Sequence, residues 1–113
     1  MQTIEDCCSP LLVDTITAAE AETLAAGFKV LSDPVRLRLL SLIANTPDGE
    51  VCVCNLIEPV GRSQPTVSHH LSILVNSGLI EREQRGKWAW YKVNPERVEV
   101  LRTALSDRSP IAV

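Results

Sequence analysis

The 113-residue sequence has no hydrophobic run that approaches the ~18 apolar residues of a membrane span. Its first residues include Glu5 and Asp6, at positions where a signal peptide would be basic and then apolar. It also has no internal repeat, no low-complexity stretch and no linker rich in Gly or Ser. These absences argue against a membrane protein and predict a cytoplasmic chain with one folded domain.

The sequence likewise lacks the patterns that surround common catalytic sites. It has no Gly-rich loop for a phosphate and no alternation of strands and helices typical of a βαβ unit. A thiol oxidoreductase or an arsenate reductase would need such surroundings for its cysteine nucleophile. We therefore expect that the protein is not an enzyme.

A positive net charge is missing too, since the formal charge is −3 at pH 7. Taken alone this argues against nucleic acid, because phosphate binding rests on Lys and Arg. The charges are, however, unevenly distributed. Residues 1–60 carry nine acidic and three basic side chains, whereas residues 61–92 carry five basic and two acidic ones. The second half of the chain is therefore predicted to present a basic face to DNA.

Helical spacing of apolar residues dominates the chain, and one strand-like pair of segments follows the fourth helix. We predict a short N-terminal arm over residues 1–14, a single domain over residues 15–108 and a tail over residues 109–113. The predicted elements are helices that begin at Thr17, Pro34, Ser63 and Asn94, a one- or two-turn helix within residues 51–57, and a hairpin of residues 80–84 and 88–93.

The fourth helix and the hairpin carry the candidate DNA contacts. A short helix, a turn and a second helix with a single apolar stripe form a helix-turn-helix, whose second helix enters the major groove. The outward face of that helix is small or hydrogen-bonding, and the hairpin turn adds two cations. The predicted DNA-binding residues are Arg62, Ser63, Gln64, Thr66, Ser68, His69, Ser72, Arg85 and Lys87.

Four segments between about Ala21 and Val93 carry a family resemblance: LSDPVRLRLLSLI, EVCVCNL, SQPTVSHHLSILVNSGLI and RGKWAWYKV. Together they resemble the ArsR/SmtB family of metal-responsive repressors. The resemblance implies an α+β, mainly α, fold: a winged helix-turn-helix with a two-stranded β-hairpin wing. It further implies a homodimer joined by the first and last helices, which binds an inverted-repeat operator in double-stranded DNA when the metal is absent.

The four cysteines form two groups, Cys7 with Cys8 and Cys52 with Cys54. In a reducing compartment they are expected to be ligands or redox groups and not structural disulfides. Thiolates select soft ions such as As(III), Cd(II) or Pb(II). Since side chains two positions apart differ by ~200° around an α-helix, joint ligation by Cys52 and Cys54 is predicted to unwind the helix there.

The Cys-Val-Cys segment is similar to the ion site of arsenic and antimony repressors, which carry a further cysteine three residues later. Ile57 occupies that position here. The resemblance implies that Cys7 or Cys8 supplies the missing sulfur. Three sulfurs would suit As(III) or Sb(III), which we prefer because RGKWAWY resembles the wing of arsenic repressors, and four would suit Cd(II) or Pb(II).

Two further expectations concern the signal. A repressor that responds to oxidation of either cysteine pair is the alternative with the same fold. Family members that sense zinc or cobalt on the last helix use histidine there, whereas this helix has Glu96, Glu99 and Asp107 but no histidine. That second ion site is therefore not expected.

Overall fold

The computed structural model describes residues 10–107. Its elements are α1 (Ala18–Leu31), α2 (Pro34–Ala44), β1 (Glu50–Cys52), a 3₁₀ turn (Val53–Asn55), α3 (Ile57–Val60), α4 (Gln64–Asn76), β2 (Ile80–Arg85), β3 (Trp88–Val93) and α5 (Pro95–Ala104). The predicted mainly helical fold with an antiparallel hairpin is confirmed. Over this range, no helix has the length and apolarity that crossing a membrane requires.

The chain divides into two units, with boundaries after Lys29 and before Pro95. The terminal unit contains α1 and α5. α1 begins with a reciprocal cap, as predicted: the Thr17 N–H donates to Glu20 Oε1 at 2.9 Å, and the Glu20 N–H donates to Thr17 Oγ1 at 3.1 Å. A Cβ on Gly27 would lie 2.8 Å from Leu101 Cδ2, so glycine lets the two helices approach closely.

The start and the end of the described chain meet within this terminal unit. Pro10 is buried, and the Leu11 N–H donates to the Ala104 carbonyl at 3.0 Å, next to the last turn of α5. Pro10 belongs to the predicted arm. The rest of the arm up to residue 9, with Cys7 and Cys8, and the predicted tail lie outside the described residues.

The central unit, residues 30–94, is built on two capped helices. Asp33 begins α2, because its carboxylate accepts the N–H groups of Val35 and Arg36 at 2.8 and 3.2 Å. Ser63 begins α4 in the same way, with Pro65 in the first turn. The apolar stripe of α4 is fully buried, at about 1.5–3 kcal/mol for each large side chain; it consists of Val67, Leu71 and Leu74.

A third strand, which sequence analysis missed, joins the predicted hairpin. The strand order is β1-β3-β2, and β1 runs antiparallel to β3 with Cys52 opposite Trp90. The prediction of a helix within residues 51–57 is therefore wrong at its start: residues 50–52 are strand, residues 53–55 form a 3₁₀ turn, and α3 begins only at Ile57. A short apolar run fits a buried strand or a helix equally well, and here pairing with β3 decides.

Candidate functional site

The turn between α3 and α4 is held from α2. Arg38 donates from Nη2 to the Pro59 carbonyl at 2.7 Å and from Nη1 to the Val60 carbonyl at 3.4 Å. These carbonyls are among the unpaired acceptors at the end of α3, where a cation is favourable. Gly61 follows with φ of 71°, the left-handed conformation that glycine adopts without strain. The two helices of the motif therefore meet at a fixed turn.

The outward face of α4 is as predicted polar and accessible. Ser68 is half-buried, and the other predicted positions are exposed: Arg62, Ser63, Gln64, Thr66, His69 and Ser72. Ser63 and Thr66 also form the cap, since Ser63 Oγ accepts the Thr66 N–H at 3.4 Å and donates to Thr66 Oγ1 at 3.0 Å. The face is thus a continuous, nearly uncharged hydrogen-bonding surface, the kind that reads base edges.

Arg36 supports the inner side of α4, a role that sequence analysis missed. Its Nε donates to the Val30 carbonyl at 2.5 Å, and its Nη1 lies 3.1 Å from Nδ1 of His70 on α4. A guanidinium only donates, so Arg36 is the donor in this contact. The available signal was the presence of Arg36 and Arg38 in an otherwise largely apolar helix, where a partly buried arginine such as Arg36 requires partners.

The wing carries the two predicted cations in different surroundings. Lys87 is exposed in the turn. The Arg85 guanidinium, in contrast, forms a bidentate ion pair with Glu50 of β1, with N–O distances of 2.8 and 2.7 Å. Its Nε donates to Glu83 at 2.6 Å, and its central carbon lies 4.8 Å from the Trp90 ring centroid. Arg85 is therefore surrounded by acceptors from its own chain.

These contacts change the acid–base properties of the cluster formed by Glu50, Glu83 and Arg85. The hydrogen bonds that Arg85 donates, first to Glu50 and then to Glu83, raise the pKa of Arg85 above its already high value. The hydrogen bond from Arg85, with the nearby charge of Lys92, lowers the pKa of the Glu50 carboxyl. By formal charge, two carboxylates and one guanidinium give the cluster a net charge of about −1. The charge of Arg85 is compensated within the protein.

Cys52 and Cys54 converge at the junction of β1 and the 3₁₀ turn. Cys52 is buried and Cys54 is exposed. The Cys54 thiol donates to Cys52 Sγ at a sulfur–sulfur distance of 2.7 Å, and the Cys54 N–H donates to the same sulfur at 3.4 Å. This hydrogen bond, followed by desolvation, raises the pKa of the Cys54 thiol. The side chains of the two cysteines therefore face each other at this junction.

This geometry corrects the expected effect of ligation. The prediction that joint ligation unwinds an α-helix is wrong in its premise, because the two cysteines lie on a strand end and a 3₁₀ turn. Cys52 also lines an open cavity of about 330 Å³ together with Trp90. Within residues 10–107, there is no cluster of three or more His, Cys, Asp or Glu that could hold a metal ion.

The sequence is similar to a family of known regulatory proteins. The family described as bacterial regulatory protein, arsR family, matches residues 33–82. The chain is 40% identical over 78 residues to the arsenical resistance operon repressor of Staphylococcus xylosus, covering 69% of this chain and 72% of that protein. It is 41% identical over 68 residues to the repressor of the same name from Escherichia coli, covering 60% of this chain and 56% of that protein.

Solved structures agree with the architecture. The crystal structure of the AntR antimony-specific transcriptional repressor is similar with a TM-score of 0.67 and 33% identity, over 81% of this chain and 82% of that one. The solution structure of the homodimeric winged helix-turn-helix DNA-binding domain Mb0332 from Mycobacterium bovis has a TM-score of 0.64 at 27% identity, over 75% and 77% of the two chains. The predicted winged helix-turn-helix is confirmed.

Proposed function

The chain belongs to the ArsR family of bacterial regulatory proteins, and from this premise we propose that it is a repressor released from DNA when cysteine thiolates bind As(III) or Sb(III). Family membership makes it a DNA-binding transcription regulator and not an enzyme. Beyond family membership, we propose the identity of the inducer ion, its cysteine ligands, a homodimer and a DNA operator.

For DNA binding, we assign base reading to α4 and phosphate binding to its first turn and to the wing. Gln64 can pair with adenine, and the serine and threonine hydroxyls can meet bases or phosphates. The set is Arg62, Ser63, Gln64, Thr66, Ser68, His69, Ser72, Arg85 and Lys87. Support comes from the exposed polar face of α4 and from its fixed turn. A homodimer, supported by the homodimeric relative, would place two such helices on an inverted repeat.

The observation on which the inducer site rests is that the Cys52 and Cys54 side chains face each other at the junction of β1 and the 3₁₀ turn. Both thiols would lose their protons when a thiophilic ion takes the two sulfurs, and with arsenous acid each proton would leave as water together with an arsenic-bound hydroxyl. As(III) takes three sulfurs, and we assign the third to Cys7 or Cys8 of the arm. Arsenite and antimonite are favoured over Cd(II) and Pb(II) because the similar proteins are named as arsenical resistance repressors and as an antimony-specific repressor.

The position of Cys52 and Cys54 suggests how ion binding affects DNA binding. Cys52 ends β1 and Cys54 lies in the 3₁₀ turn that leads into α3, the first helix of the motif. An ion that fixes both sulfurs fixes this junction. If that geometry differs from the one that α3 and α4 adopt on the operator, ion and DNA bind to different states and oppose each other.

The decisive experiment measures operator affinity by fluorescence anisotropy under anaerobic, reducing conditions with arsenite, antimonite, Cd(II), Pb(II) or peroxide. We expect arsenite and antimonite to release the wild type. Cys52→Ser and Cys54→Ser should keep operator affinity within about twofold, because neither residue contacts DNA in this assignment, and should abolish release. Ser41→Ala, a change of an exposed side chain elsewhere in the central unit, is the control and should respond like the wild type.

Other outcomes separate the alternatives. Release by peroxide alone would replace the ion sensor by a thiol redox sensor. Loss of DNA binding in both ion-free cysteine variants would make these cysteines structural. X-ray absorption of the arsenite complex and of each Cys→Ser variant counts the sulfurs, and four sulfurs around Cd(II) together with release by Cd(II) alone would favour the cadmium and lead alternative.

A further inference from the structure

One face of the sheet joins the thiol segment to the wing. Glu50 and Cys52 are two positions apart on β1 and so lie on the same face. Trp90 is opposite Cys52 on β3, and Glu83 is opposite Trp90 on β2. Arg85, two positions after Glu83, completes the row with its guanidinium against the Trp90 ring. A proposed sulfur ligand and a proposed DNA contact therefore lie on the same face of one sheet.

Arg85 cannot bind DNA and keep its present contacts. Both terminal nitrogens of its fork donate to Glu50, and Nε donates to Glu83. A bidentate phosphate contact would use the same fork. The carboxylate of Glu50 therefore competes with DNA phosphate for one guanidinium, while Glu83, from the same strand as Arg85, moves with the wing.

Building on the function proposed above, we propose that Glu50 is the positioning residue of the wing. It holds Arg85 away from DNA phosphate when the thiol segment is fixed, and it couples ion capture to the wing because it lies two residues before Cys52 on the same strand. Neither the composition of the hairpin nor the cysteine spacing indicates this role, since the ion pair joins residues 35 positions apart.

The coupling follows from binding to different states. An ion held by Cys52 and Cys54 restrains the end of β1 and thereby favours the geometry in which Glu50 reaches Arg85. DNA favours the geometry in which Arg85 has exchanged Glu50 for a phosphate. Each ligand then weakens the other by the same factor, as linkage requires. Removal of the Glu50 carboxylate should both strengthen DNA binding and reduce the effect of the ion.

The experiment compares Glu50→Gln with Glu81→Gln, using operator affinity as a function of salt with and without arsenite. Glu81 on β2 is opposite Lys92, as Glu50 on β1 is, and its exposed carboxylate carries the same charge, so the control removes one negative charge at a matched position. Glu50→Gln should tighten ion-free binding about two- to fivefold, the range of an exposed ion pair. It should also steepen the salt dependence by up to about 0.9, the value of one full phosphate contact, because Arg85 then no longer divides its time between Glu50 and phosphate.

Glu50→Gln should further shrink the arsenite-induced loss of affinity, again by about two- to fivefold. In an Arg85→Ala background, it should change neither the salt dependence nor the arsenite effect. Glu81→Gln should leave the salt slope and the arsenite effect at their wild-type values.

One result would contradict only the role of Glu50, and another would contradict the proposed function. If wild-type protein is released by arsenite but Glu50→Gln behaves as Glu81→Gln does, the role of Glu50 is wrong and the proposed function stands. If the reduced wild type stays on its operator with every ion, the proposed function itself fails.

Discussion

The outer face of α4 and the wing are both assigned to DNA, yet they use their polar groups in opposite ways. On α4, the side chains of Gln64, Ser68 and Ser72 make no hydrogen bond among the residues that the structure describes. On the wing, the Arg85 guanidinium is bonded to two carboxylates and stacked on a ring. The helix is ready to bind a partner, whereas Arg85 must first give up contacts.

This difference suggests a division of roles. A surface whose donors and acceptors are unengaged can read bases without rearrangement, because no internal bond has to break. A surface whose charge is compensated internally contributes only after an exchange of partners, and such an exchange can be controlled. The helix is then the fixed reader and the wing the adjustable contact.

The largest expected effect concerns stability, and it tests the buried side of α4, the helix assigned to base reading. Leu71→Ala removes a fully buried side chain beneath α4 and should lower the free energy of unfolding by about 2–5 kcal/mol. Trp88→Ala, at a wing position that is 50% exposed, should cost far less. Urea unfolding followed by circular dichroism measures both. Equal losses in the free energy of unfolding would mean that the Trp88 side chain stabilises the fold as much as the Leu71 side chain does.

The next effect tests base reading. Gln64→Ala should weaken operator binding by about 1–3 kcal/mol while affinity for unrelated DNA and the salt slope stay unchanged, because a base contact carries discrimination and no charge. Gln84→Ala, at an exposed glutamine on β2, is the control and should not alter sequence preference. Competition binding with operator and random DNA measures the ratio. An equal loss of affinity for operator and random DNA would mean that Gln64 contacts the DNA phosphate backbone and not the bases.

The smallest effect separates the two cations of the wing. Lys87→Ala should weaken binding to all DNA sequences and reduce the salt slope by about 0.9. Arg85→Ala should reduce the slope by less, since Glu50 and Glu83 occupy its guanidinium for part of the time. Titrations between 50 and 200 mM salt, as is usual for protein–DNA binding, measure both slopes. Equal reductions would show that the carboxylates do not restrain Arg85 in solution.

Local rules made much of the central unit predictable. Helix beginnings at Asp33 and Ser63 depend on side chains that bond to the backbone two or three residues later, so the sequence alone contains both partners. The stripe of Val67, Leu71 and Leu74 follows from helical spacing. The same helical spacing places the polar residues of α4 on the opposite side, so the polar outer face was predicted too.

The prediction of the thiol segment and the wing was incomplete, because their geometry depends on residues far apart in the chain. Pairing of β1 with β3 made residues 50–52 a strand, and the following 3₁₀ turn brought Cys54 back to Cys52. The bond between Glu50 and Arg85 then compensated a charge that composition had counted as available to DNA.

The amino-acid sequence by itself therefore determined α1, α2, α4 and α5, the polar outer face of α4 and the order of the motif, since hydrogen bonds and periodicity within a few residues are enough for these. Only the tertiary structure decided how the two sulfurs face each other and which cation of the wing is engaged, since strand pairing brings together groups that no local pattern relates.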